Sequence, residues 1–296
     1  MRLSSWLTPI TTLILVLQPC RGFSGGRPGD QVVPGFQPPR EGVNLLSRQD
    51  AAVSAPKGEP DAPRTASGGL DGKLEHAREV NLKYASNMPN FVADETAKRY
   101  TRANKSLLWR HLDTIETEIT FKGTRAVRQR IRRNGKPWTL SFEALPGFKW
   151  YGGFGTEIRP LFDPQCPTSI QYRGRQEVRG KQLMEYGFSS PADGCFASFY
   201  VGNRRYNPAR TGQAFIDTGG NVIQLDEEAE GFPADFEFAQ RTEQVWWDYV
   251  KIGDTSHLLP VRARFVVLYS SGARFRVEVE YKNHRHFEAS ANITFN

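Results

Sequence analysis

The sequence predicts a mainly β domain built on an antiparallel sheet with one wet face. Three observations carry that reading. Val261, Ala263, Phe265, Val267 and Tyr269 alternate with Arg262 and Arg264, and Phe275, Val277, Val279 and Tyr281 alternate with Arg274, Arg276, Glu278, Glu280 and Lys282. Such period-2 patterning puts apolar side chains on one face of a strand and charge on the other. Turn signals such as Asn134-Gly135, Gly219-Gly220 and Ser271-Gly272 punctuate the chain at short intervals. Only one stretch has a convincing helical stripe.

Taken in order, the first 22 residues read as an export signal. Arg2 supplies a minimal positive start, Trp6–Leu17 is largely apolar, and Cys20-Arg-Gly22 offers small residues at the cleavage positions. The apolar run is too short for a transmembrane span, which needs about 20 residues, and no other segment is long and apolar enough. A lipoprotein leader with Cys20 as the lipidation site is the rival reading, though Gln18 and Pro19 suit it poorly. Residues 23–70, rich in Gly, Pro, Ala and Ser, cannot bury enough surface to offset ordering entropy and read as a disordered tether. The folded domain is expected over 71–296.

Asp71 is placed to cap a helix over Gly72–Asn87, with Leu74, Ala77, Tyr84 and Met88 on one stripe. Phe91–Tyr100 alternates weakly and reads as an edge strand. Leu107–Lys122 is a clear strand, with Ile115, Ile119 and Phe121 on one face. Arg125–Arg133 returns after Gly123-Thr124, and Asn134-Gly135 turns the chain into a third strand over Lys136–Phe142. Gly155–Phe162 suits a short helix. Ser169–Gly174, Lys181–Ser190 and Cys195–Val201 come next as strands, then a basic loop over Asn203–Arg210. Five strands fill Thr211–Phe287, with an acidic loop over Glu227–Pro233.

The formal net charge is +7 with pI about 9.4, which favours anionic partners without naming one. If Cys20 leaves with the leader, Cys166 and Cys195 remain. An even pair in an oxidising compartment is a disulfide candidate, against the alternative of two free buried thiols.

No motif specifies catalysis or a cofactor. Gly22-Phe-Ser-Gly-Gly26 matches a nucleophile elbow but lacks the strand before it and the helix after it. Gly153-Phe-Gly155 lacks the third glycine of a dinucleotide fingerprint. His284 and His286 share a strand face without a third ligand, and no metal site is expected. His111 with Asp113 has the spacing of an acid–base pair, or of an ordinary surface pair. Asn104-Lys-Ser106 and Asn292-Ile-Thr294 match glycosylation acceptors. Alternation sets Arg128, Arg130 and Arg132 in one row, which is either a patch for an anionic envelope component or a solvated hairpin face. Export argues against nucleic acid as the partner.

The helix followed by Met88-Pro-Asn-Phe91, then Phe215-Ile-Asp217, Trp247-Asp-Tyr249, Ile252-Gly253, Leu259-Pro-Val261 and Tyr281-Lys-Asn283, resembles an uncharacterised group of exported bacterial proteins. Their strand order is similar to that of the outer-membrane lipoprotein-carrier, or LolA-like, superfamily. The resemblance covers residues 72–290. It implies a curved antiparallel half-barrel with one or more helices over the concave face and a hydrophobic cavity for acyl chains. It transfers no functional residue. The expected function is therefore a non-enzymatic exported protein, periplasmic or extracellular, that binds a lipid or other hydrophobic ligand. The candidate cavity residues are Ile119, Phe121, Phe215, Trp246, Trp247, Phe265, Phe275, Val277 and Tyr281. One helix is small cover for so many strands, so the apolar face is either a cavity wall or a core with further cover. The alternatives are an interaction module using the basic sheet face and, third, an extracellular hydrolase.

Overall fold

The structure, a computed structural model, describes residues 67–287 apart from 124, 152, 153, 156, 202 and 203. The leader, the tether up to residue 66, Cys20, the Gly22–Gly26 motif and the acceptor at Asn292 lie outside the described residues.

Helix α1 spans Ser67–Asn87. It begins five residues before the expected start at Gly72, so Asp71 lies within it and is not its N-cap. Gly68 and Gly69 have low helix propensity and hid the first turn. Thirteen strands come after it among the described residues. Those of the first hairpins are β1 (Phe91–Arg102), β2 (Arg110–Lys122), β3 (Arg125–Arg133) and the two-residue β4 (Lys136–Pro137). The short helix α2 (Ile158–Phe162) precedes β5 (Ser169–Val178) and β6 (Lys181–Ser190). A small hairpin, β7 (Phe199–Val201) with β8 (Arg204–Tyr206), forms a separate two-stranded sheet. Then come β9 (Ala209–Ile216), β10 (Val222–Glu230), β11 (Phe238–Ile252), β12 (Thr255–Tyr269) and β13 (Arg274–His286).

Eleven strands form one open, curved sheet in the order β4-β3-β2-β1-β13-β12-β11-β10-β9-β6-β5, each pair antiparallel. The first and last long strands are therefore neighbours in the middle of the sheet. Ala97 sits between Ile115 of β2 and Val279 of β13.

This arrangement corrects the reading of Phe91–Tyr100 as an edge strand. Its core face is Phe91, Ala93, Glu95, Ala97 and Arg99, all buried. Two inward charges, each paired, break the apolar alternation and disguise a central strand. The expected acidic loop is likewise strand: Glu227–Glu230 belong to β10, and Glu227 points into the core. The expected third strand after Asn134-Gly135 stops at Pro137, and a 3-10 turn over Phe142–Ala144 replaces its end.

The apolar face is covered by more than α1. Residues 142–151, Phe154, α2 and the residues around Phe196, Phe199 and Phe236 all pack onto it. Phe148 stands 6.4 Å from the rings of Phe238, Phe265 and Phe275. Phe154 lies 5.6 Å from Phe121 and 5.4 Å from Tyr281. Each such ring buried from water contributes about 1.5–3 kcal/mol. Asn81 pins the helix to the β9–β10 turn. Its Nδ2 donates to the carbonyls of Ala77 and Gly220, and its Oδ1 accepts from the Val222 amide.

Cys166 and Cys195 form a disulfide, with Cα atoms 5.6 Å apart. Cys166 precedes β5 and Cys195 comes after β6. The β5–β6 register, which sets Ser169 opposite Ser189, brings these chain ends together. The bond ties two covering segments whose cysteines are separated by 29 positions. Replacing both cysteines by serine is expected to cost about 3–4 kcal/mol in urea unfolding, on the chain-entropy model. A cost under about 1 kcal/mol would show that packing alone holds the cover in place.

Candidate functional site

Seven of the nine expected cavity residues face the covered side, and they form its packed core. Ile119, Trp247, Phe265 and Val277 have no exposed surface, and Phe121, Phe275 and Tyr281 have almost none. Trp246 is on the opposite face, as its adjacency to Trp247 requires, and its indole N–H donates to Gln224 Oε1. Phe215 is buried on that same opposite face, where the register sets it beside Gln224 and Gln224 beside Trp246.

Buried charge locks the cover down. Glu95 accepts from Arg128 Nε at 2.6 Å and Nη2 at 2.8 Å, from Thr117 Oγ1 at 2.9 Å and from Trp150 Nε1 at 2.9 Å. Burial pushes its carboxyl up, but the charge and hydrogen bonds of Arg128, with those of Trp150 and Thr117, outweigh it and hold the pKa low. Nearby, Arg99 forks onto both oxygens of Asp113 at 2.6 Å and donates to the Pro146 carbonyl, while Arg133 donates to the same carboxylate at 2.7 Å. Asp113 is thus consumed by two arginines. His111 contacts Thr114 Oγ1 instead, and no acid–base pair forms.

The expected row of Arg128, Arg130 and Arg132 is not one row. Arg130 has φ 52°, and the β2–β3 register shifts between Glu116 and Glu118. This bulge sends Arg128 inward, opposite Ile119, and leaves Arg130 and Arg132 outside. Val127 is correspondingly exposed while Ile131 is buried.

A second buried ionic group lies across β9, β10 and β11. Arg210 pairs with Glu227, and Arg241 pairs with Glu243 and reaches Glu227 at 3.5 Å. Glu157 is buried beside them. Burial pushes the Glu243 carboxyl up to about 8; Arg241 opposes this, and the charges of Glu157 and Glu227 reinforce it. The space beside this group is ≈ 10 Å³, room for about one water and no substrate. The sequence does carry a signal for it: Arg241 and Glu243 share the parity of Val245 and Trp247, an inward position that demands partners.

Open space exists at the rim of the cover. Between α1 and strands β5, β6 and β9 lies a cleft of ≈ 470 Å³. Leu183, Met184 and Ile216 supply an apolar wall, and Lys73, His76 and Arg175 stand around it. Gly220, at φ 86°, forms part of the lining; a Cβ there would come within 3.0 Å of the His76 ring. None of these residues carries a sequence motif. The cleft arises where the α1 N-terminal half meets the end of β9, a juxtaposition set by tertiary packing.

The remaining histidines part company. His284 meets the Pro260 carbonyl at 3.1 Å and lies against Phe91, whereas His286 stands edge-on to His257.

An open, curved antiparallel sheet with a helix and aromatic segments packed on one face defines the architecture. Neither a protein-family model nor a curated protein matches the chain. Among solved structures it is similar to a LolA superfamily protein from Nitrosomonas europaea, with 9% identity, a TM-score of 0.35, and coverage of 74% of this chain and 94% of that one. It is similar also to a DUF1329 family protein from Desulfovibrio piger, with 10% identity, a TM-score of 0.36, and coverage of 75% and 95%. A third is the Mycobacterium tuberculosis lipoprotein LppX, with 9% identity, a TM-score of 0.24, and coverage of 72% and 94%.

Proposed function

We propose that this protein is a non-enzymatic binding protein for an amphipathic ligand, an acyl chain carrying an anionic head, held in the cleft between α1 and strands β6 and β9. The observation that supports this most is the pairing of an apolar wall at Leu183, Met184 and Ile216 with cationic side chains at Lys73 and Arg175, around ≈ 470 Å³. That volume falls in the usual range for small-molecule sites, about 300–1,000 Å³. The aromatic face first expected to line a cavity supplies the floor's rigidity and not the ligand's bed, because its rings touch one another and the cover. The Cys166–Cys195 bond supports residence in an oxidising compartment outside the cytoplasm.

Delipidated full-length protein titrated with a fluorescent fatty acid is expected to show saturable binding. Met184→Trp, which fills the cleft, is expected to weaken it at least about tenfold, a change of about 1.4 kcal/mol, with the melting temperature unchanged. Absence of saturable binding, or equal binding by the variant, sinks the reading.

A further inference from the structure

The face of the sheet opposite the cover holds an arrangement that neither packing nor the proposed cleft uses. Arg102 of β1 and Arg274 of β13 stand directly opposite each other in register, and Leu268 of β12 is Arg274's other partner. Arg264 lies on the same groove from β12. Arg276, two residues on from Arg274, pairs with Glu278 at 3.2 Å. Among the described residues, Arg102, Arg264 and Arg274 make no ion pair. Trp109 is held between two guanidiniums, 5.1 Å from Arg102 and 4.5 Å from Arg276. Burial, and then the charges of Arg274 and Arg276, lower the Arg102 pKa.

Like charges directly opposite across two strands are destabilising. Among the described residues the core-facing Arg99, Arg128, Arg210 and Arg241 each pair with a carboxylate; on this outer face Arg102, Arg264 and Arg274 line a groove of ≈ 700 Å³ without an ion pair, Arg264 lying opposite Glu278 in register. The groove then crosses β11 and β10, where the lining changes to Gln240, Thr242, Gln244 and the carboxylates Asp226 and Glu228. Charge is thus segregated: guanidiniums at one end, amides and a hydroxyl in the middle, carboxylates at the other.

We propose that this groove binds an acidic oligosaccharide. A uronate carboxylate would sit on the guanidinium forks of Arg102 and Arg274, a geometry that suits bidentate hydrogen bonding. Ring hydroxyls would meet Thr242, Gln244, the Gln240 carbonyl and the remaining lone pairs of Asp226, since the Gln240 amide N–H already donates to Glu228 and Asp226 already accepts from Gln224. A continuous polyanion such as nucleic acid, or a flat anionic membrane, would bring negative charge over Asp226 and Glu228, so the segregation favours a ligand with one charge and many hydroxyls.

The test is calorimetric titration of the disulfide-bonded full-length chain with an oligogalacturonate, the neutral gluco-oligosaccharide of equal length, inorganic phosphate, and vesicles of phosphatidylglycerol. The uronate oligomer is expected to bind saturably, and the neutral one at least about tenfold more weakly. Arg274→Gln is expected to lose at least about tenfold in affinity, whereas Arg130→Gln, at an exposed arginine on another strand, binds as wild type. Without ligand, Arg274→Gln is expected to raise the melting temperature by about 1–3 °C, since it relieves the repulsion. Gln244→Ala, which leaves every charge in place, should also weaken the oligomer. No uronate binding, equal binding of the neutral oligomer, or unchanged binding by both groove variants overturns the proposal. Vesicle binding that Arg274→Gln abolishes, with no oligomer binding, assigns the arginines to a membrane surface instead.

Discussion

Glu95→Ala is expected to destabilise the protein by about 3–5 kcal/mol, the usual cost of removing one partner from a buried ion pair. The carboxylate is the single acceptor on which Arg128, Thr117 and Trp150 converge. Without it, the Arg128 guanidinium, its side chain only 4% exposed, becomes an uncompensated charge inside the protein. Its contact with Phe142, 4.3 Å from the ring centroid, cannot replace the ion pair. The Trp150 indole N–H is orphaned as well, and Trp150 is part of the segment that covers β1 and β2. The loss should therefore appear twice: as a lower urea midpoint, and as dye binding to newly exposed apolar surface at urea concentrations where wild type shows none. The double variant Glu95→Leu with Arg128→Met should recover much of the stability, because buried pairs are often replaceable by apolar residues of similar volume. A single-variant cost below about 1 kcal/mol would show that the aromatic contacts alone hold the cover.

The second large effect is a pH dependence carried by Glu243. In the folded chain its carboxyl stays protonated up to about pH 8; in the unfolded chain it ionises near its ordinary value of 4.5. Between those values the unfolded state releases a proton that the folded state keeps. Its contribution to stability is therefore complete below about 4.5 and falls as pH rises through 8, by up to about 1.4 kcal/mol per pH unit. Glu95 and Asp113 act oppositely. Their folded pKa values are depressed, so their contributions are present above the ordinary carboxylate range and fall away in acid. The stability curve should peak in mild acid. Glu243→Gln keeps an oxygen for Arg241 and removes the titration. It should flatten the alkaline limb, raise stability at pH 8 by on the order of 1–2 kcal/mol, and leave the acid limb as it was. An unchanged alkaline slope in the variant would assign that limb to other groups.

The first effect arises where sequence patterning misleads, the second where parity with Val245 and Trp247 marks Glu243 as inward. The strands with unbroken alternation, such as Val261–Tyr269 and Phe275–Tyr281, are legible because every inward residue is apolar. β1 is not, because Glu95 and Arg99 occupy inward positions and only their partners on β2, β3 and residues 142–151 make that tolerable. Alternation puts Arg128 on the wrong face because one bulge residue, Arg130, reverses the parity of the residues before it relative to those after it. The cover is invisible for a different reason. Phe142, Phe148, Trp150 and Phe154 lie in a segment with no period, placed by the sheet it packs on and not by its own backbone preference. The cleft is harder still, since Leu183, Ile216 and His76 come from three distant parts of the chain.

The placement of β1 beside β13 has a consequence for the order in which the molecule is made. A chain that emerges from its N-terminus delivers β1, β2 and β3 first, and these can pair as local hairpins. One edge of β1 then stays open until Arg274–His286 arrives, at the far end of the described chain. During that interval the strand offers unpaired amides and carbonyls to any neighbouring chain. The central seam closes last, and it closes over a sequence separation that makes such pairing slow. The fold therefore requires its thirteenth strand to complete its first.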